Sequence, residues 1–169
     1  MSLVIAIDVG IKNLALCCYD FVTSQIVHWD NVTLVPCGRY VPAQNVQYVR
    51  SFIHKYAHLF QNAAVVVVER QMRCNMRIIE AVFQTMFFDR CHVIHPRCVK
   101  MHYGLSTRNY RTNKAMAVEW CKRFTEENTT VFPPDLLEAF KASPKQDDLA
   151  DALLLCMYYL DTYSNQMTH

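Results

Sequence analysis

Glycine is the scarcest of the structural residues in this chain of 169: there are three, with six prolines. That excludes collagen-like repeats, flexible linkers and low-complexity tracts, and it implies a single compact domain over residues 1–169. Beyond Gly10 only Gly38 and Gly104 remain, so a nucleotide site built from two glycine-rich phosphate turns lacks its material and no nucleotide cofactor is expected. No apolar run approaches the roughly 18 residues of a membrane-spanning helix, and the opening MSLVIAID has no basic leader and meets an acid at Asp8. No membrane partner and no cleaved leader are expected. Eight cysteines are present but no CxxC pair, so the chain does not read as a disulfide scaffold and a reduced, cytoplasmic setting is expected.

What is abundant is charge sorted along the chain. Residues 1–69 carry 4 basic and 4 acidic groups; residues 70–123 carry 11 and 3, a net +8; residues 124–169 carry 2 and 8, a net −6. The overall +2 hides this separation, which suits a polyanion-binding surface beside an acidic cluster, or simply two solvated helix faces of opposite sign.

Hydrophobic patterning gives the element order. Leu3–Ile7, Leu14–Phe21 and Gln25–Val32 are three β-prone segments with tight connections, an antiparallel meander. Apolar residues at helical spacing predict a helix over 44–60; six small or β-branched residues, Ala63–Val68, predict a strand buried on both faces; Ile78–Phe87 predicts a helix and Cys91–Ile94 a strand ending before Pro96. Residues 113–124 form a further helix. Ser143-Pro144-Lys145-Gln146 supplies an N-cap, a proline at the first helical position and a reciprocal capping residue for a last helix over about 144–163. The order β-β-β-α-β-α-β-α-α contains two crossovers and demands an α/β fold, a mixed sheet with helices on its faces.

Three of these segments present an acid at a boundary: Asp8 closes the first strand, Glu69 the buried strand, and Asp148 and Asp151 stand three apart early in the last helix, on one face with Leu155. An acid directly after a buried strand is costly unless it meets a cation or donors. If the first and fourth segments are neighbours and the last helix crosses them, all four converge. Such hard oxygen ligands suit Mg²⁺ or Mn²⁺, and two ions roughly 3.5–4 Å apart serve phosphodiester hydrolysis. Taken singly, each acid has an ordinary reading: Asp8 as a turn former, Glu69 paired to Arg70 or Arg73, the helical acids as partners of the helix dipole.

As a set the motifs are specific. Asp8-Val9-Gly10-Ile11-Lys12-Asn13, Glu69-Arg70-Gln71 and Asp147-Asp148-Leu149-Ala150-Asp151 resemble the RuvC-like Holliday junction resolvases of the ribonuclease H superfamily, and most of all the poxvirus-type resolvases. Pro96-Arg97-Cys98-Val99-Lys100 and Asn113-Lys114-Ala115 are similar to later segments of that family. The resemblance implies a ribonuclease H-like mixed sheet, three antiparallel strands then two parallel, with helices on both faces. It implies that Asp8, Glu69, Asp148 and Asp151 are catalytic acids holding two Mg²⁺ ions per active site, with Mn²⁺ as a substitute, whereas Asp147 matches a less constrained position. Lys100 and Lys114 are then DNA contacts near the scissile phosphate. Val9 stands where the bacterial proteins commonly have proline and sides with the viral type.

The resulting expectation is a structure-selective endodeoxyribonuclease that resolves four-way DNA junctions by paired symmetric nicks, in DNA recombination and repair, at a viral replication site in host cytoplasm. The alternatives are a ribonuclease H-fold nuclease acting on RNA or other branched DNA, and a non-catalytic branched-DNA-binding module. Paired nicks call for a homodimer, with its interface expected on the apolar helix from Ile78 to Phe88. The expected DNA surface adds Lys12, a basic stripe of Arg70, Arg73 and Arg77 beside Glu69 if the next helix begins there, and Arg108 and Arg111 flanking Tyr110 in a polar loop. Gly10 is expected where a side chain would crowd ion or phosphate, or where a turn needs positive φ. Cys91, His92, His95 and Cys98 have zinc-ligand types, but strand alternation sends them to different faces and zinc is not expected.

Overall fold

The computed structural model describes residues 2–35 and 38–163; Cys37, counted above, lies outside them. Strands β1 (Leu3–Asp8), β2 (Leu14–Asp20), β3 (Gln25–Val32), β4 (Ala63–Glu69) and β5 (Cys91–Ile94) form one sheet in the order β3-β2-β1-β4-β5. The first three pair antiparallel, and β4 and β5 join parallel to β1 and to each other. The expected α/β, ribonuclease H-like sheet is therefore present, with β1 and β4 as central neighbours.

Alternation along β1 splits the core into two layers. Val4 and Ala6 face α5 (Tyr110–Glu127), α6 (Pro134–Ala142) and α7 (Gln146–Tyr163), a layer that also takes Val65, Val67, Trp29, Leu153 and Tyr159. Leu3, Ile5 and Ile7 face α1 (Asn45–Lys55), α2 (Ala57–Phe60) and α3 (Cys74–Met86) through Phe52, Phe60, Ile79 and Phe83. Burial on both faces is why Ala63–Val68 reads as an unbroken apolar run.

Several boundaries differ from the sequence reading. The helix expected over 44–60 breaks at Tyr56 (φ −105°, ψ 29°) into α1 and α2. Two helices were not anticipated: α4 (Pro96–His102) and α6, both beginning with proline at the first position. At α4 the proline that ends the strand also starts a helix, capped by the His95 side chain accepting from the Arg97 amide at 3.1 Å. A Schellman pair ends it, Gly104 N–H to Met101 O (3.2 Å) and Leu105 N–H to Lys100 O (2.7 Å), with Gly104 at φ 68°. Before α7, Ser143 Oγ accepts from the Lys145 amide at 3.1 Å as expected. Gln146 does not reach back to Ser143; its amide donates to the Phe140 and Lys141 carbonyls and closes the end of α6. No helix among the described residues is long and apolar enough to cross a membrane, and the seven described cysteines are free.

Candidate active site

The carboxyl ends of β1 and β4 lie side by side because the two strands pair in parallel, with Ile7 opposite Val68. Asp8 and Glu69 are the next residues on each, so topology alone makes them neighbours. The helical acids arrive through α7. Trp29 on β3 donates from its indole nitrogen to the Leu149 carbonyl (2.9 Å), Asn31 donates to the Lys145 carbonyl (3.1 Å), and Trp29 stacks on Phe140 of α6 at 4.6 Å. These contacts pin the first turns of α7 across the sheet, and Asp148 and Asp151 face the strand ends.

All four predicted acids line one open cleft of about 940 Å³, together with Lys12, Arg70, Arg73, Lys100 and Lys114. Arg77, Arg108 and Arg111 are exposed outside its lining. The stripe of three arginines fails because α3 begins only at Cys74, and Arg73 is still extended (φ −87°, ψ 134°). Tyr110, expected in a polar loop of the DNA surface, lines the cleft as the first residue of α5, and His95, Arg97 and Lys145 line it without having been expected there. The zinc-type residues do not gather: His92 packs against the Tyr159 and Tyr163 rings while Cys98 is exposed on α4.

The electrostatics of the acids are uneven. Asp8 is pushed well above the usual carboxylate range, chiefly by burial, then by the charges of Glu69 and Asp151, and it shares a hydrogen bond with Glu69. Burial, then Asp151, raises Glu69 to about 7, against the opposing pull of that hydrogen bond and of Lys100. Crowding and burial thus make both carboxyl groups hold a proton more readily than an exposed acid does. Glu69 also accepts from the Gln71 side-chain amide at 3.2 Å, and Gln71 is held in turn by its backbone N–H donating to the buried Glu80 carboxylate at 2.6 Å. On α7, Asp151 is ion-paired with Lys100 of α4. Lys114 of α5 pairs with Asp147 and lies 3.5 Å from Asp148. Burial works to lower Lys114, yet Asp147 and Asp148 hold its ammonium above the ordinary lysine value. Burial and Asp147 raise Asp148.

Gly10 lines the acid cleft, but the positive φ expected as one reason for it is not there. A Cβ at this position would meet the Asn13 carbonyl oxygen at 2.1 Å. The chain returns tightly over Gly10 on its way into β2, and this close backbone approach requires glycine.

Among the described residues no three His, Cys, Asp or Glu side chains form a ready-made cage for an ion; lysine ammonium groups stand against Asp148 and Asp151 instead. The donor set nevertheless fits a hard cation. Two carboxyl groups are forced to share a hydrogen bond, two more lie within electrostatic reach, and the shared excess of negative charge is what a divalent ion would neutralise.

Gln71, Glu80 and Asp147 are the residues whose roles the sequence did not give. Asp147 was visible as the first acid of the DDxxD stretch. Glu80 carried no signal, since a glutamate in the middle of a helix reads as solvent-facing.

The family model of the Poxvirus A22 protein matches residues 2–162. Among solved structures the chain is similar to the Fowlpox virus resolvase in complex with Holliday junction DNA, at 17% identity and TM-score 0.68 over 95% of this chain and 97% of that one. It is similar to the yeast mitochondrial Holliday junction resolvase Ydc2 (17%, TM-score 0.69, 99% and 85%) and to Thermus thermophilus RuvC bound to its Holliday junction substrate (17%, TM-score 0.58, 97% and 98%). No curated protein sequence matches. With the ribonuclease H-like sheet in place and the family match running nearly end to end, the chain belongs to the Poxvirus A22 protein family.

Proposed function

We propose that this chain is a Mg²⁺-dependent, structure-selective DNA endonuclease, a single nuclease domain that resolves four-way junctions by paired nicks. The observation that carries the reading is the meeting of Asp8, Glu69, Asp148 and Asp151, from three separate elements, in one cleft rimmed by lysine and arginine. Similar resolvases have been solved with Holliday junction DNA, which supports the choice of substrate. Asp8, Glu69, Asp148 and Asp151 would hold two Mg²⁺ ions, or Mn²⁺, which activate water and stabilise the leaving oxygen of the phosphodiester.

The chain's own groups do the rest. Lys12, Arg70, Arg73 and Arg97 offer positive charge along the cleft for the phosphate backbone, and Arg77, Arg108 and Arg111 extend that field beyond its rim. Lys100 and Lys114, each paired with an acid of the cleft, are placed to exchange a carboxylate for a phosphate oxygen when DNA enters.

Two opposing nicks require two such clefts, so the working form is a two-fold homodimer. Its interface lies on α3 and the turn after it, though not as the sequence suggested: Phe83 and Phe87 are buried, Phe87 stacking on Phe60 at 5.3 Å. The faces left outward are Ile78, Met86 and Phe88, the last 83% exposed. The match to a poxvirus family supports work at a viral replication site in host cytoplasm.

The test is incubation of the purified protein with labelled four-way junction, linear duplex and RNA·DNA hybrid, with Mg²⁺ or with EDTA. Metal-dependent paired nicking of the junction is expected. Junction binding without nicking would replace the enzyme by a silent DNA-binding module, and cleavage of the hybrid alone would make it a ribonuclease.

A further inference from the structure

A second cavity, of about 320 Å³, opens at the free edge of β5. Arg70 and His95 line both it and the acid cleft, so the two spaces share a wall, and Arg70 directly follows Glu69. The remaining lining comes from Val93, Ile94, Cys98 and two rings of α7, Tyr158 and Tyr163.

Each wall offers something a flat heterocycle uses. Tyr163 is stacked on Tyr159 at 5.2 Å and Tyr158 stands edge-on to it at 6.5 Å, so the rings are braced from behind. The guanidinium of Arg70 is a second planar surface. His95 Nδ1 accepts the Arg97 amide, which leaves the proton on Nε2 and makes that nitrogen a donor. Pairing to β4 uses the even-numbered residues of β5, as Val66 N–H to Arg90 O (2.9 Å) and Arg70 N–H to Ile94 O (2.8 Å) record. Val93 consequently turns its N–H and C=O to the open edge, an adjacent donor and acceptor. Beside Arg70 and His95 the lining is aromatic or apolar, Val93, Ile94, Cys98, Tyr158 and Tyr163, a surface that takes the face of a flat, hydrogen-bonding ring.

We propose that this cavity is a docking site for a nucleobase unstacked beside the cleaved phosphate. The inference rests on the nuclease reading and extends it, because the cavity shares Arg70 and His95 with the acid cleft and a strand bound along that cleft would pass its mouth. Unstacking costs least where pairing is already interrupted, as at the crossover of a four-way junction. The site would thereby favour the branch point over continuous duplex.

The test compares intact junctions with junctions carrying one abasic position, at each of the two nucleotides flanking the cleaved phosphate. Affinity is measured without metal and cleavage with Mg²⁺, for wild type, Tyr163→Ala and Cys98→Trp. Base stacking on a protein ring supports a loss of roughly tenfold in affinity for Tyr163→Ala on the intact junction. Cys98→Trp, which fills the cavity from an exposed position and removes no packing, is expected to give a similar loss. At one of the abasic positions both penalties should shrink to less than half. If they are undiminished at both positions while wild type still nicks the junction, the cavity takes no base and the nuclease reading stands. If the coupling appears without any nicking, the base site stands and the nuclease reading falls; failure to bind the junction ends both.

Discussion

The two banks of the acid cleft solve the same problem in different ways. On the strand bank no ion pair to Asp8 or Glu69 stands among the described residues, and their crowding is relieved by a shared hydrogen bond, the Gln71 amide and the charge of Lys100. On the helix bank Asp151 and Asp147 each hold a lysine delivered by a different helix, α4 or α5. The strand acids are fixed by the pairing of β1 and β4, and Lys100 reaches Glu69 through its charge while its ion pair is with Asp151. The helical acids stand on α7, within ion-pairing distance of lysines from α4 and α5. The difference teaches that negative charge here is balanced by protons where the backbone is rigid and by mobile side chains where DNA would enter. A ligand that neutralises the strand bank should therefore respond to pH, and one that competes for the helix bank should respond to salt.

The strongest way to sharpen that contrast is on the strand bank. Asp8→Asn or Glu69→Gln is expected to lower junction cleavage by on the order of 10³-fold or more, while junction affinity without metal is unchanged or improved because phosphate repulsion is reduced. Turnover close to wild type in both variants, measured under single-turnover conditions, would remove these acids from the chemistry.

Next comes the helix bank. Lys100→Ala is expected to cost roughly 10²-fold in cleavage and to reduce the slope of log affinity against log salt by about one. A lost rate with an unchanged salt slope would mean that Lys100 serves only as the partner of Asp151, and the two banks would be less different than drawn.

The pH prediction concerns stability. Glu69 binds its proton more tightly in the folded chain, with a folded value of about 7 against an ordinary 4.5. Its contribution is present in full below the ordinary value and is lost as pH climbs to about 7. In EDTA, Glu69→Gln is expected to melt together with wild type near pH 4.5 and above it at pH 8, by on the order of 2 kcal/mol. Added Mg²⁺ should raise the wild-type melting temperature at pH 8 and do less for the variant. Equal melting of the two proteins at pH 8 would show that the strand bank carries no such load.

The smallest effect is expected from Asp147→Asn. Freed of its carboxylate, Lys114 loses one anchor on a partly exposed bank, and cleavage should fall about three- to fivefold. A loss as large as that of Asp8→Asn would promote Asp147 from holding Lys114 to acting beside Asp148.

The legibility of the sequence follows the same division. Asp8 and Glu69 were readable because each ends an apolar run, and β4 is identified by burial on both faces. The placement of Lys100 was not readable from periodicity, since it depends on α4, a seven-residue helix whose signals are a histidine cap, a proline and Gly104. The Arg70–Arg77 stripe was misread because helical spacing was extended backwards into residues that are still extended. Phe83 and Phe87 look like surplus apolar area in one dimension, and only the edge-on contact of Phe83 with Phe52 and the stack of Phe87 on Phe60 show where they go. Lys114 was visible as a lysine near a helix start, but its partner Asp147 is 33 positions away, and no local pattern connects them.

Trp29 carries a practical consequence. Its indole is hydrogen-bonded to the residue directly after Asp148 and lies flat on Phe140, whereas the chain's other tryptophan, Trp120, stacks on Phe124 within α5. The Trp29 share of the tryptophan emission, isolated with Trp120→Phe, should follow any shift of the last helix, so the protein supplies its own label for watching ions or DNA arrive.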